Sequence, residues 1–209
     1  VGYNFSQAAF SYERAAKIQR EAAARLFDFL RENLPSGFDP KTIFELGAGT
    51  GFFTKHIIRL FPASKILVSD ISEEMLFICR RKIASMTGYT DQMAIEFQIL
   101  DFNDDFDLPP ECELIVSALS FQWAENLPDL LMRLRAKMPQ NAFLLFSILA
   151  DGSLAELREI FRLAEIEYPV PPHYKEEELR EILSIFSATR SESYQLKSKH
   201  SGLLQFLKS

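Results

Sequence analysis

The chain has 209 residues, enough for one domain with a substantial core. With 47% apolar and 25% charged residues it has the profile of a soluble globular protein, and its net charge of −6 argues against general nucleic-acid binding. No apolar run approaches the roughly 18 residues that would span a bilayer, so no membrane segment is expected.

Residues 8–33 read as one amphipathic helix, with Ala15, Ile18, Ala22, Leu26 and Phe29 at three- and four-residue steps. Pro35, Gly37 and Pro40 mark a loop. From residue 41 short apolar runs alternate with helical stretches. Thr42–Leu46, Lys65–Ser69, Ala94–Leu100, Glu113–Ala118 and Ala142–Leu149 are predicted strands, and Phe52–Phe61, Glu73–Met86 and Leu127–Lys137 the helices between them. That alternation predicts an α/β fold, a doubly wound, mostly parallel sheet with helices on both faces.

After residue 150 the rhythm changes. Ser153 with Glu156 reads as a capping box opening a helix to about Glu167. The proline-rich "YPVPPHY" follows, then a predicted helix Lys175–Phe186, a strand Ser193–Leu196 and the start of a helix at Gly202–Lys208. The expectation is one domain: residues 1–40 as a helical lid, 41–150 as a binding core and 151–209 as a cover.

Cys79 and Cys112 are far apart and His56, His173 and His200 do not cluster, so neither a disulfide framework nor a metal site is expected. With no secretory leader pattern at the start, the expected compartment is the cytoplasm.

Function is concentrated in "ELGAGTGFF", residues 45–53. Gly47, Gly49 and Gly51 stand at every second position, where the first strand gives way to a helix. In an open α/β sheet this is where ligands bind. A Cβ there would push a ligand off the backbone or forbid the turn. The spacing is not G-x-G-x-x-G, since Phe52 stands where the last glycine belongs, and no lysine follows as a phosphate-binding loop requires. The string Glu45–Gly51 instead resembles motif I, E/D-x-G-x-G-x-G, of the class I S-adenosylmethionine-dependent methyltransferases.

The second strand ends in Asp70, 19 residues after Gly51. An acid there can accept from both hydroxyls of a ribose, the role the glycines favour; the alternative is a cap at the start of the next helix. The resemblance to the methyltransferases implies S-adenosylmethionine as cofactor. It implies that Glu45, Gly47, Ala48, Gly49, Gly51, Asp70, Ile71, Met75 and Ser117 surround it, with Asp101 accepting from the adenine amino group and Phe102 flanking the ring. The loop after the fourth strand carries Gln122 and Trp123, either as pocket walls or as a capped turn with core aromatics.

Beyond motif I, "FSQAAFSYERAAKIQREAAARL" (residues 5–26), "SALSFQWAENLPDLLMRL" and "FSILADGSLAELREIF" resemble the malonyl-acyl-carrier-protein O-methyltransferases of biotin synthesis over nearly the whole chain. Two departures stand out. The family's Leu-Lys-Pro-Gly-Gly is replaced by "MPQNAF", with Asn141 expected in a left-handed position, and the chain stops at Ser209, before the family's further helix and last antiparallel strand, so the expectation is either a truncated sequence or a sheet edge built otherwise.

The resemblance implies methylation of the free carboxylate of a malonyl thioester on an acyl-carrier protein. Carboxyl groups have pKa values near ~4, so the acceptor is already ionised and no acid or base residue is required. The positional residues would be Tyr12, over the methionine end of the cofactor, and Gln122 and Trp123 on the acceptor side. An acidic carrier would meet Arg190, Lys197, Lys199 and Lys208, which can also be read as a solvated tail face. The rival readings are a trans-aconitate type carboxyl methyltransferase, which shares the Gln-Trp pair, and a non-catalytic nucleotide-binding module of NAD type.

Overall fold

The computed structural model describes residues 17–86, 88, 93–167 and 173–197. Five parallel strands form one sheet in the order β3-β2-β1-β4-β5: β1 Thr42–Leu46, β2 Lys65–Asp70, β3 Ile95–Ile99, β4 Cys112–Ala118 and β5 Phe143–Ser147. The helices are α1 Lys17–Asn33, α2 Thr54–Leu60, α3 Glu73–Ala84, α4 Leu127–Lys137, α5 Ala155–Leu163 and α6 Glu176–Leu183. The strand order reverses between β1 and β4, which opens a crevice at their carboxyl ends.

Strand β1 is buried along its whole length, as a central parallel strand covered on both faces must be. Its side chains alternate between two cores. Ile43 joins a cluster with Ala23, Leu26 and Leu30 of α1, Ile57 of α2 and Cys79 of α3. Phe44 and Leu46 face the other way, into a cluster with Leu127, Leu130, Leu131 and Leu134, the three-four stripe of α4. Helix α4 starts cleanly because the Asn126 side chain accepts from Asp129 N at 3.0 Å.

The described part of the N-terminal helix packs on the sheet through Ala22, Ala23, Leu26 and Leu30. Residues 8–16 and the Gly202–Lys208 helix lie outside the described residues.

Three local expectations need correction. The Ser153–Glu156 capping box does not form: α5 begins behind Leu154, which takes the left-handed conformation at φ 57° with no side-chain cap bond. Residues 193–196 form no strand; Arg190 instead donates to Asn33 at 2.9 Å and Arg25 lies 5.0 Å from the Tyr194 ring, so this segment is spent along α1. Asn141 has no positive φ, and the turn closes by Ala142 N donating to Pro139 O at 3.1 Å.

Candidate active site

The three glycines of the first turn all have positive φ, 69° at Gly47, 55° at Gly49 and 82° at Gly51, but each is glycine for a different reason. A Cβ on Gly47 would fall 1.9 Å from Ser120 Oγ at the β4 tip. A Cβ on Gly51 would fall 2.6 Å from Cys79 Sγ. At Gly49 nothing lies within 4 Å, so the bare backbone there faces open space. Of the three, Gly49 alone leaves room at its α-carbon for a ligand; its neighbours serve packing.

The turn is held from several sides. Ala48 N donates to Ser69 O at 2.9 Å and Gly51 N to Ala48 O at 3.0 Å. Lys82 of α3 donates to Thr50 O at 2.7 Å and to its hydroxyl at 3.1 Å. The same ammonium lies 4.0 Å from the Phe52 ring centroid, and Arg20 of α1 approaches that ring at 5.5 Å.

Asp70, at the tip of β2, reaches across to this turn. Its Oδ2 accepts from Gly49 N at 2.7 Å and its Oδ1 from Ser72 N at 2.9 Å. Ser72 is the cap of α3, accepting from Met75 N at 3.3 Å. Asp70 therefore ties the glycine turn to the helix start, and two of the roughly four lone-pair directions of an ionised carboxylate remain. Burial raises its pKa, opposed by the backbone N–H groups of Ser72, Gly49 and Ile71. Ile71 beside it is 56% exposed, an apolar side chain presented at a strand tip, whereas Met75 is buried.

Glu45 lies within β1, almost fully buried, and neither carboxyl oxygen has a hydrogen-bond partner among the described residues. Burial pushes its pKa up to about 7; the Thr54 hydroxyl pulls it down without making a bond of ordinary geometry, and the Asp70 charge pushes it further up. A buried carboxyl without a partner is costly, which marks a place where a donor or cation is wanted.

Asp101 follows β3 and accepts at Oδ1 from Asn103 N at 2.9 Å and Asn103 Nδ2 at 3.0 Å. Phe102 is buried edge-on against Phe121, and its ring would lie 3.7 Å from a Cβ on Gly47. Helix α4 grips this loop: Arg133 donates to Phe102 O at 2.9 Å and Asp104 O at 2.6 Å, and Lys137 reaches Asp105 and Phe106 O.

At the β4 tip Leu119 takes a left-handed φ of 50°, its N–H donating to Ser147 O and Oγ of β5. Ser117 is fully buried, its hydroxyl without a partner among the described residues. Phe121–Trp123 form a single helical turn, in which Gln122 Nε2 donates to Leu119 O at 2.7 Å. Trp123 packs at the margin of the α4 core. Tyr12 lies outside the described residues.

The structure thus gathers Glu45, the glycine turn, Asp70, Ile71, Asp101 and Phe102 around the β1 and β2 tips, with Gln122 toward β5. A broader hollow of about 530 Å³ beside β3, lined by Leu67, Arg80, Ile95, Glu96, Phe97 and Gln98, includes none of these residues. The residue missed by sequence reasoning is His173, buried beside Gln122; a lone histidine after two prolines carries no local signal.

Two curated relatives, both named malonyl-acyl-carrier-protein O-methyltransferase, come from Neorickettsia risticii and Magnetococcus marinus. The first is 34% identical over 83% of this chain and the second 32% over 77%. The chain spans 64% and 56% of their lengths, less than two thirds of either. Among solved structures, a Haemonchus contortus phosphoethanolamine N-methyltransferase 2, in complex with S-adenosylhomocysteine, shares the fold with a TM-score of 0.62 at 14% identity. That match covers 88% of this chain and 42% of that one. The plantazolicin methyltransferase BpumL, also with S-adenosylhomocysteine bound, matches with a TM-score of 0.59 at 16% identity, over 88% of this chain and 68% of that one. The model of the methyltransferase domain family matches residues 18–189, and the chain belongs to that family.

Proposed function

We propose that the chain is an S-adenosylmethionine-dependent O-methyltransferase that esterifies the free carboxylate of a malonyl thioester on acyl-carrier protein, a step of biotin synthesis. The observation that carries the cofactor reading is the open face of Gly49 between Asp70, with lone pairs to spare, and Glu45, buried without a partner. The residues fit the group. Asp70 would take the ribose hydroxyls, Ile71 and Phe102 would flank the adenine, and Asp101 would accept from its amino group. Glu45 would offset the cofactor's positive charge.

When bound, S-adenosylmethionine supplies a methyl group on a sulfonium centre. The chain's own residues then have two tasks, alignment and exclusion of water, which together can remove several kcal/mol from the barrier. No side chain has to take a proton from an acceptor that is ionised at neutral pH. Gln122, Trp123 and Tyr12 would act on the acceptor side. The two relatives support the malonyl thioester as acceptor and the carrier as partner. The carrier's acidic surface would meet the basic groups near the chain end, of which Lys197 is exposed. The expected compartment is the cytoplasm.

Titrations with S-adenosylhomocysteine and NAD, followed by methylation assays on malonyl-carrier protein and on trans-aconitate, test the proposal. Binding of S-adenosylhomocysteine alone and turnover of the carrier substrate are expected. Turnover of trans-aconitate and not of the carrier substrate would replace the acceptor, and binding of NAD alone would replace the cofactor.

A further inference from the structure

Between the tips of β4 and β5 lies a cavity of about 100 Å³, walled by Phe121, Ala124, Ile148 and Leu149. Two polar side chains that line it, Gln122 and His173, carry atoms without a partner among the described residues. Gln122 spends its amide NH2 on the Leu119 carbonyl at 2.7 Å, and since only the nitrogen can donate there, the flip is settled. Its Oε1 is left buried with no donor among the described residues. His173 is 9% exposed, and neither ring nitrogen has a partner among the described residues. The histidine is nevertheless held in place. Tyr174 bridges to Ala150, and Tyr174 O accepts from Asp151 N at 2.9 Å.

The hydrogen-bonding inventory selects the occupant. Burial and the Arg158 charge lower the His173 pKa, with Asp151 opposing, so the ring is neutral near pH 7 and carries one N–H and one lone pair. Beside Glu125 and Tyr174, which also line it, the cavity therefore offers at His173 one donor and at Gln122 Oε1 a fixed acceptor, both without a partner among the described residues. A carboxylate brings acceptors alone and would face Gln122 Oε1 with like polarity. A hydrocarbon would leave both groups unsatisfied. A secondary amide supplies an N–H for Gln122 and a carbonyl for His173, and its flat apolar flanks suit the walls.

We propose that the Gln122–His173 cavity is a specificity subsite for a secondary amide on the thioester arm of the acceptor. This rests on the reading of the acceptor as a carrier-borne thioester, whose long phosphopantetheine arm contains such amides. The subsite would hold the arm and so align the acyl end at the neighbouring strand tips, making Gln122 and His173 positioning residues for transfer.

Two small acceptors test it: malonyl-pantetheine and the malonyl thioester of propanethiol, which has no amide. The wild-type kcat/KM is expected to be at least tenfold higher for the pantetheine thioester. His173→Phe and Gln122→Met should collapse that ratio toward one, mainly through KM. His173→Gln, which restores an N–H donor, should recover part of it. Pantetheine alone should shift the His173 imidazole resonances in NMR spectra of the wild type. Melting curves and S-adenosylhomocysteine titrations establish that each variant is folded, and Gln122→Met carries the test if His173→Phe is not. Equal kcat/KM for the two thioesters in the wild type, or a ratio that survives in folded His173→Phe or Gln122→Met, would overturn the subsite. A wild-type protein that binds S-adenosylhomocysteine and methylates neither thioester would overturn the acceptor reading itself, and the subsite with it.

Discussion

Replacing Glu45 with Gln isolates the cost of an ionised carboxyl buried under the glycine turn. The folded-state pKa is raised from 4.5 to about 7, chiefly by burial. The native protein therefore keeps a proton on Glu45 that the unfolded chain releases above pH 4.5. Between those two values the native state binds more protons, so stability falls as pH rises. The relative advantage is complete below pH 4.5 and lost by about pH 7. A shift of about 2.5 units at 1.36 kcal/mol each bounds the loss at about 3 kcal/mol. The Gln variant has its own buried amide to satisfy, so its absolute stability is not the readout; the pH slope is. Urea denaturation at pH 5 and pH 8 should show the wild type losing up to about 3 kcal/mol more than Glu45→Gln across that interval. Parallel losses in the two proteins would refute the reasoning. A cationic ligand near Glu45 would lower its pKa, so binding S-adenosylmethionine near pH 6.5 should release a proton, seen as a buffer-dependent heat in the wild type and not in the variant.

Gly49→Ala should leave the fold standing, since nothing crowds the position; the left-handed backbone costs about 1–2 kcal/mol, a few degrees of Tm, while S-adenosylhomocysteine affinity in a titration falls more than tenfold. Asp70→Ala should weaken that affinity by about 2–4 kcal/mol, the loss of a charge-assisted pair in a closed site, together with about 1 kcal/mol of stability from the freed Gly49 and Ser72 N–H groups. Unchanged affinity would reduce Asp70 to its structural bonds. Lys82→Met should speed amide hydrogen exchange at residues 47–51 by loosening Thr50, and unchanged exchange would show that the ammonium does not hold the turn.

Between residues 41 and 147 the sequence pattern was nearly sufficient. Each predicted strand there coincides with an observed one within two residues at either end, because apolar runs of that length between helical stretches have one compact solution, the parallel sheet. The glycine turn was legible as a candidate site, but its division of labour was not. Ser120 and Cys79, which claim the spaces beside Gly47 and Gly51, lie 73 and 28 residues away in the chain. After residue 150 the two helices were legible, but the first helix's cap and the 193–196 strand were not. Leu154 displaced Ser153 as the residue before α5, and Tyr194 found Arg25 rather than a neighbouring strand. His173 and Gln122, 51 residues apart, line one cavity, which no spacing rule anticipates.

The grip of α4 on the loop after β3 has a kinetic consequence. Arg133 and Lys137 together engage the backbone carbonyls of Phe102, Asp104 and Phe106. On the proposed cofactor reading, Asp101 and Phe102 would stand in position before a nucleoside arrives, and little conformational entropy would be lost there on binding. Association at that side should resemble docking to a rigid template, with affinity differences among nucleoside analogues expressed in dissociation rates. Tolerance should be correspondingly narrow: an adenine analogue with added bulk at the Phe102 side meets a wall braced by a helix, and its penalty should soften when Arg133 is replaced.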